Sequence, residues 1–356
     1  MDISEIDKNL KSTAIKETDI VWRNVRDDAF SLHGIFYSEE EKHYRRMPKA
    51  VADHVSEGVK VLSTCSTGGR IRFVTDSPYI AIKAVMADMP LGSNSSLAGQ
   101  SGFSVYMDGV FQGNLRPERA NVNSATDGKY VFASMCYARV GGTVRNIEIY
   151  TPLYNCVYEI FIGIKEGSIL SPGKEYFNDL PVVFYGSSIT QGGCASRAGN
   201  DYVSLVCRRL KMDFVNLGFS GNAKGEPIMA DYLASLKASV MVMDYDFNAP
   251  SVEWLRETHY PMYQKIRSAQ PNVPIVFMTR PNFLYDPQNC RPRREVIYQN
   301  YLKAREDGDE NVYFIDGETL FGQEEWDSST VDNCHPNDLG FYRMAEKVEA
   351  VLSKLI

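Results

Sequence analysis

The hydrophobic period of this chain changes between residues 165 and 180, and the change demands two architectures in one polypeptide. Upstream, apolar residues recur at every second position. GRIRFVTD (69–76) and YIAIKAVM (79–86) flank Ser77-Pro78, and FSVYMDGVFQGN (103–114) carries the turn pair Asp108-Gly109. KYVFASM (129–135), TVRNIEIYTPL (143–153) and VYEIFIGI (157–164) follow. Alternation sends successive side chains to opposite faces, and Gly, Asn, Asp and Pro punctuate the segments. Residues 1–164 therefore predict an antiparallel β-sandwich.

Downstream, short apolar runs alternate with helical patterns. The runs are PVVFYG (181–186), FVNLG (214–218), VMVMDY (240–245), PIVFMT (274–279) and NVYFID (311–316). Helices are expected at 200–211, 226–236, 252–269, 291–306 and about 339–355. Repeated βαβ units make a parallel sheet with right-handed crossovers, so residues 180–356 predict a flavodoxin-like α/β/α domain with five parallel strands. The stretch between, 165–179, is rich in Gly, Ser, Pro, Lys and Glu and reads as a linker. Its Gly167 and Gly173-Lys174 do not form a phosphate-binding loop: the spacing is one residue too long, and Glu175 stands where Ser or Thr is needed.

The 356 residues suffice for two cores, and 44% hydrophobic with 23% charged residues excludes a disordered chain. A net charge of −7 disfavours a nucleic-acid binder, which wants a basic field. No run approaches 18 apolar residues, so no membrane partner is expected. The N-terminal MDISEIDKNLKSTAIKETD is charged and lacks an apolar h-region, so no signal peptide is read there. Seven scattered cysteines (65, 136, 156, 194, 207, 290 and 334) contain no C-x-x-C pair, which argues against a disulfide framework and a zinc site. Reduced thiols and a cytoplasmic location are the expectation.

Ligands of an open parallel sheet bind at the carboxyl ends of its strands. The residues after the five runs include Gly186-Ser187-Ser188, Gly218-Phe219-Ser220-Gly221-Asn222, Asp246-Phe247-Asn248 and Arg280-Pro281-Asn282, and the loop before the last helix reads Asp332-Asn333-Cys334-His335. A serine nucleophile needs an imidazole base and a carboxylate to orient it. The α/β half holds two histidines, His259 within a helical pattern and His335 at the rim, three residues after Asp332. A spacing of three lets carboxylate and imidazole meet across one turn. Ser188 could otherwise be a capping serine, and Asn248 a cap for the helix that follows.

These segments resemble the four-block signature of the SGNH hydrolases, also called GDSL esterases. The first block, usually G-D-S, reads Gly186-Ser187-Ser188, with Ser187 in place of Asp and Ser188 at the nucleophile position. Gly221 matches the second block's glycine. Asn248 matches the third block's asparagine, although the usual G-x-N-D setting has become Asp246-Phe247-Asn248-Ala249. Asp332 and His335 match D-x-x-H. The resemblance spans residues 180–356. It implies Ser188 as nucleophile, His335 as base and Asp332 as its orienting carboxylate. The Ser188 N–H, the Gly221 N–H and the Asn248 amide become oxyanion donors, and neither metal nor organic cofactor is required.

The upstream half is similar to the jelly-roll-like sandwich that precedes the SGNH domain in several carbohydrate acetylesterases. Ser101-Gly102-Phe103-Ser104-Val105-Tyr106 resembles a short motif of such domains. The implied substrate is an O-acetylated mono- or oligosaccharide. Trp326, on the loop before Asp332, is a candidate sugar platform or loop packing. Arg280 is a candidate substrate contact or a partner of Asp246 or Asp244. Two other readings stand beside the acetylesterase: an esterase, thioesterase or lysophospholipase for longer acyl chains, and an inactive carbohydrate-binding protein.

Overall fold

The computed structural model of the protein describes residues 15–138 and 142–356, so most of the N-terminal segment read for a leader lies outside the described residues. The chain forms two compact units that interleave in sequence. The first takes residues up to 46, 64–175 and 196–199; the second takes Met47–Ser63, Tyr176–Ala195 and Asn200–Ile356.

The first unit contains β1 (Ile20–Asn24), β2 (Ser31–His33), β3 (Phe36–Ser38), β4 (His43–Arg45), β5 (Arg70–Thr75), β6 (Tyr79–Ala87), β7 (Phe103–Met107), β8 (Val110–Leu115), β9 (Lys129–Tyr137), β10 (Arg145–Tyr150), β11 (Val157–Lys165) and β12 (Ser171–Pro172). One antiparallel sheet runs β1-β11-β6-β9. The other runs β12-β5-β10-β7-β8, with β2 also on β5, and β3 and β4 form a separate hairpin. The expected alternation builds the core. Ile80, Ile82, Ala84 and Met86 of β6 meet Ile71 and Phe73 of β5, Phe103 and Val105 of β7, and Ile147 and Ile149 of β10 in one buried cluster. Asp108 (φ 50) and Gly109 (φ 82) both take the left-handed region, which is what a two-residue hairpin turn between β7 and β8 requires.

Two boundaries differ from the sequence reading. Part of the expected linker is sheet: Ser171 and Pro172 pair with Val74 and Phe73 of β5. Pro172 is tolerated because β12 is an edge strand. Residues 47–63, expected in the sandwich, form helices Lys49–Val55 and Glu57–Leu62 and belong to the second unit. Met47, Ala52 and Val59 lie in the second unit's core, with Val51, Val55 and Leu62 packed against it. Val51, Val55, Val59 and Leu62 fall at helical spacing, a period that strand-seeking passes over.

The second unit carries β13 (Val182–Gly186), β14 (Phe214–Gly218), β15 (Val240–Asp244), β16 (Ile275–Met278) and β17 (Val312–Ile315), ordered β14-β13-β15-β16-β17 with every pair parallel. β13, β14, β15 and β16 are almost wholly buried, as strands covered on both faces must be. Helices Tyr202–Leu210, Pro227–Ser235, Val252–Ala269, Pro287–Glu306 and Asp338–Leu352 connect or follow them. The fourth of these begins before the expected 291. Asp286 accepts a hydrogen bond from the Asn289 N–H at 3.3 Å as N-cap, and Pro287 fits the first turn, where no N–H is needed. From β13 the chain steps outward to β14, then crosses back to β15. That reversal opens the crevice between the carboxyl ends of β13 and β15. Among the described residues, no helix is long and apolar enough to cross a membrane.

Candidate active site

Ser188 emerges where β13 ends. Gly186 leaves room for the turn, because a Cβ there would lie 2.0 Å from Thr190 Oγ1 and 2.7 Å from the Asp244 carbonyl. Ser187 is the N-cap of the short helix Ser188–Gln191, its Oγ accepting the Ile189 N–H at 3.1 Å. The capping duty therefore falls to the residue that replaces the usual Asp. Ser188 Oγ lies instead 3.0 Å from His335 Nε2, across 147 residues of sequence.

His335 is held by its own loop. Asp332 Oδ2 is 2.9 Å from His335 Nδ1, and Asp332 Oδ1 accepts the backbone N–H of His335 at 2.7 Å and of Cys334 at 3.1 Å. Asn333 takes a left-handed φ of 65°, and the Val331 N–H closes the turn onto the His335 carbonyl at 2.9 Å. Partial burial pushes the Asp332 carboxyl up. The hydrogen bonds from His335 and Cys334 outweigh that and hold it below the usual carboxylate range. An ionised Asp332 fixes the proton of His335 on Nδ1 and leaves Nε2 to accept from Ser188 Oγ.

The two other expected donors lie on neighbouring loops. Gly221 has φ 68°, a conformation that favours glycine, and a Cβ there would meet nothing within 4 Å, so its backbone borders open space. Asn248 ends the 3-10 turn Asp246–Asn248 after β15. Its Oδ1 accepts the Ala223 N–H at a long 3.4 Å, which turns the amide so that Nδ2 is the end left to donate. Gly221 and Asn248 are thus linked through the loop after β14.

Several polar residues that sequence reasoning missed hold these loops together. Gln191 Oε1 accepts the Ser220 N–H at 3.0 Å, and Asn216 Nδ2 donates to the Thr190 carbonyl at 2.7 Å. Thr190 Oγ1 and the Tyr202 hydroxyl donate to Asp244 Oδ2 at 2.7 and 2.8 Å. Their signal was present in outline: Thr190, Gln191, Asn216 and Asp244 are polar residues within or beside apolar runs, and all are buried.

Arg280 and Asp246 interact through their charges without a direct side-chain ion pair, and no pairing with Asp244 forms. Asp246 Oδ2 accepts the Arg280 backbone N–H at 2.9 Å, while the guanidinium stacks 4.0 Å over the Phe247 ring. Trp326 is half-buried, its ring edge-on to Tyr285 at 4.6 Å, and the Tyr285 hydroxyl donates to the Asp327 carbonyl at 2.8 Å. His259 is a core histidine among Tyr245, Phe277 and Asn300, and burial lowers its pKa to about 3, which keeps it neutral. All seven cysteines are free thiols. Burial pushes both Cys194 and Cys334 up to about 11, with the Asp332 charge adding to it. Asp332, Cys334 and His335 carry donor atoms within 4.8 Å of one another, and two of these, Asp332 Oδ2 and His335 Nδ1, are already bonded to each other.

Comparison with known proteins identifies the family. Residues 179–353 match the GDSL-like lipase/acylhydrolase family, and residues 20–170 match the domain described as the N-terminus of SGNH-hydrolase-type esterases. The chain belongs to the SGNH/GDSL hydrolases, with their N-terminal domain preceding the hydrolase domain. A Bacteroides ovatus protein described as a GDSL-like lipase is 28% identical, with a TM-score of 0.82 over 94% of this chain and 98% of that one. A salicylyl-acyltransferase from a tetracycline biosynthetic pathway follows at 18% identity and TM-score 0.76, covering 96% of this chain and 98% of that one. A family two carbohydrate esterase from Clostridium thermocellum, solved with cellohexaose, has 13% identity and TM-score 0.62 over 91% and 98%. No curated protein sequence matches the chain.

Proposed function

We propose that this hydrolase is a serine esterase that removes O-acetyl groups from sugars or oligosaccharides. The observation that carries the chemistry is the hydrogen-bonded chain from Ser188 Oγ through His335 to Asp332, at 3.0 and 2.9 Å. His335 Nε2 takes the Ser188 proton as Oγ attacks the ester carbonyl, and Asp332 stabilises the imidazolium that results. The Ser188 and Gly221 N–H groups and Asn248 Nδ2 donate to the oxyanion. The C–O bond to the sugar then breaks, with His335 returning the proton to the leaving oxygen. Water, deprotonated by the same imidazole, cleaves the acyl-enzyme and restores Ser188. Every proton in this cycle moves between Ser188, His335, the sugar and water, so the scheme needs no cofactor.

The acetyl-sugar assignment is supported by structural neighbours of the same two-domain length. Besides the esterase solved with cellohexaose, they include an acetyl xylan esterase from Butyrivibrio proteoclasticus with a TM-score of 0.60 at 14% identity. Such identity shows the fold, and the substrate is our inference. The test is acetate release from a mixture of acetylated oligosaccharides by wild type and Ser188→Ala side by side. Release by wild type and its loss in the folded variant is the expected result. Hydrolysis of longer acyl esters alone would overturn the acetyl assignment, and glycan binding with no hydrolysis of any ester would overturn the esterase.

A further inference from the structure

The carboxyl end of β16 holds a charge that the site described so far does not use. Arg280 is only 6% exposed. Burying a guanidinium is costly unless its donors and its charge are met. Among the described residues its side chain makes one hydrogen bond, from Nε to Asn282 Oδ1 at 3.0 Å, and no carboxylate lies within 4.0 Å of it. Its contact with the Phe247 face holds the plane in place but supplies no counter-charge.

The nearby carboxylate, Asp246, faces both arginines, and its Oδ1 accepts no hydrogen bond among the described residues. Arg293 Nη1 lies 3.5 Å from Asp246 Oδ1, and Arg293 also donates to the carbonyls of Asp246 and Ala249 at 2.8 and 2.9 Å. Two buried guanidiniums thus share one buried acid. Asp244 is a poor second counter-charge, since burial raises its pKa to about 7. Asp246 faces both charges and Asp286 is a second acid close by, so what Arg280 keeps free among the described residues is its two terminal nitrogens rather than its charge. The place of this side chain is informative: Phe247, which it covers, precedes Asn248, and its field reaches the Cys334 thiol, which precedes His335.

We propose that Arg280 binds a carboxylate carried by the ester substrate, on its sugar or on its acyl group, so that this rim selects anionic esters. The inference rests on the esterase reading: a carboxylate on the sugar refines the acetyl assignment, and one on the acyl group replaces it. A guanidinium with its two terminal nitrogens uncommitted matches a carboxylate in a two-point, charge-assisted pair. A neutral sugar hydroxyl offers that fork a single uncharged acceptor, a weaker and less directional partner.

Matched ester pairs test it. One arm compares an O-acetylated methyl glucuronoside with the same acetylated methyl glucoside, placing the carboxylate on the sugar. The other compares mono-4-nitrophenyl adipate with 4-nitrophenyl hexanoate, placing it on the acyl group. The readout is the ratio of kcat/KM for the charged and the neutral member, which does not depend on the fraction of active enzyme. Wild type is expected to favour the charged member of one pair by about tenfold or more, the scale of one charge-assisted contact. Arg280→Gln should bring that ratio close to one, and Arg280→Lys should keep part of it. If the glutamine variant does not fold, the wild-type ratio and the lysine variant still decide. Hydrolysis of neutral acetyl sugars without preference for the charged member in either pair, or a ratio unmoved by Arg280→Gln, overturns this inference alone. No hydrolysis of any ester overturns the esterase reading and this inference with it.

Discussion

Gln191 Oε1 accepts the backbone N–H of Ser220 at 3.0 Å, and this bond ties the last residue of the Ser188 helix to the loop that carries Gly221. Gln191 is fully buried and Ser220 is half-buried, so the bond closes a partly shielded N–H. With the Asn216 amide on the Thr190 carbonyl and the Phe219 N–H on the Gly186 carbonyl, it helps hold the proposed nucleophile and one of its proposed oxyanion donors at a fixed offset.

Gln191→Leu fills a similar volume and removes that acceptor. It is expected to lower stability by about 0.5–1.5 kcal/mol, the net worth of one such hydrogen bond. It should also reduce kcat about tenfold or more, because displacements of an ångström at a reacting site are felt strongly. Denaturation midpoints and steady-state kinetics measure the two effects. An unchanged kcat in a destabilised variant would show that the offset does not matter to the chemistry.

Asn248→Ala should behave in the opposite way. The only hydrogen bond its side chain makes among the described residues is the long one from Ala223 at 3.4 Å, so stability should move by about 0.5 kcal/mol or less. If Nδ2 donates to the oxyanion, kcat should fall by about 10²–10³, the usual effect of removing one such donor. Full activity in Asn248→Ala would assign Asn248 to loop structure instead.

These two residues mark how much the sequence could say. Ser188, Asp332 and His335 could be proposed from the sequence because a serine nucleophile restricts residue types and the strand ends restrict their places, whereas Gly221 and Asn248 were proposed from the resemblance to the four-block signature. Gln191 was not, because a glutamine that serves a backbone N–H obeys no motif; its partner is fixed only when the two loops meet. The five parallel strands were read almost to the residue from their unbroken apolar runs. The helices of residues 47–63 were missed because their stripe of Val51, Val55, Val59 and Leu62 is short and matches a core that lies far downstream in sequence. Arg280 was noticed as a candidate, yet its uncommitted guanidinium could not be: which of two arginines takes the buried Asp246 is settled by packing.

Cys194 and Cys334 flank the proposed triad, and their chemistry can be separated from it. Burial pushes both thiols up to about 11, so at neutral pH they are protonated and poor nucleophiles. Cys194→Ser and Cys334→Ser should each retain most of the wild-type kcat/KM, whereas Ser188→Ala should lose about 10³-fold or more. Iodoacetamide at pH 7 should inactivate the enzyme slowly if at all. Rapid inactivation, abolished in Cys334→Ser, would contradict the burial argument and place a reactive thiol beside His335.

Asp244 makes the stability of the protein depend on pH in a direction opposite to that of an ordinary surface carboxylate. It is buried at the end of β15 and bonded by Thr190 and Tyr202, and burial raises its pKa from 3.8 to about 7. The native state therefore keeps a proton that the unfolded chain releases at about pH 4. Between these values the folded form binds more protons, so this group's contribution to the unfolding free energy is fully present below about pH 4. It is lost as pH rises to about 7, with a limiting slope of about 1.4 kcal/mol per pH unit. Asp244→Asn keeps an acceptor for both hydroxyls and has no proton to lose. The difference in Tm between wild type and Asp244→Asn should thus move in favour of the variant from pH 5 to pH 7 and level off by pH 8. A difference that stays constant over that range would mean that Asp244 is ionised throughout, with its two hydroxyl donors compensating for burial.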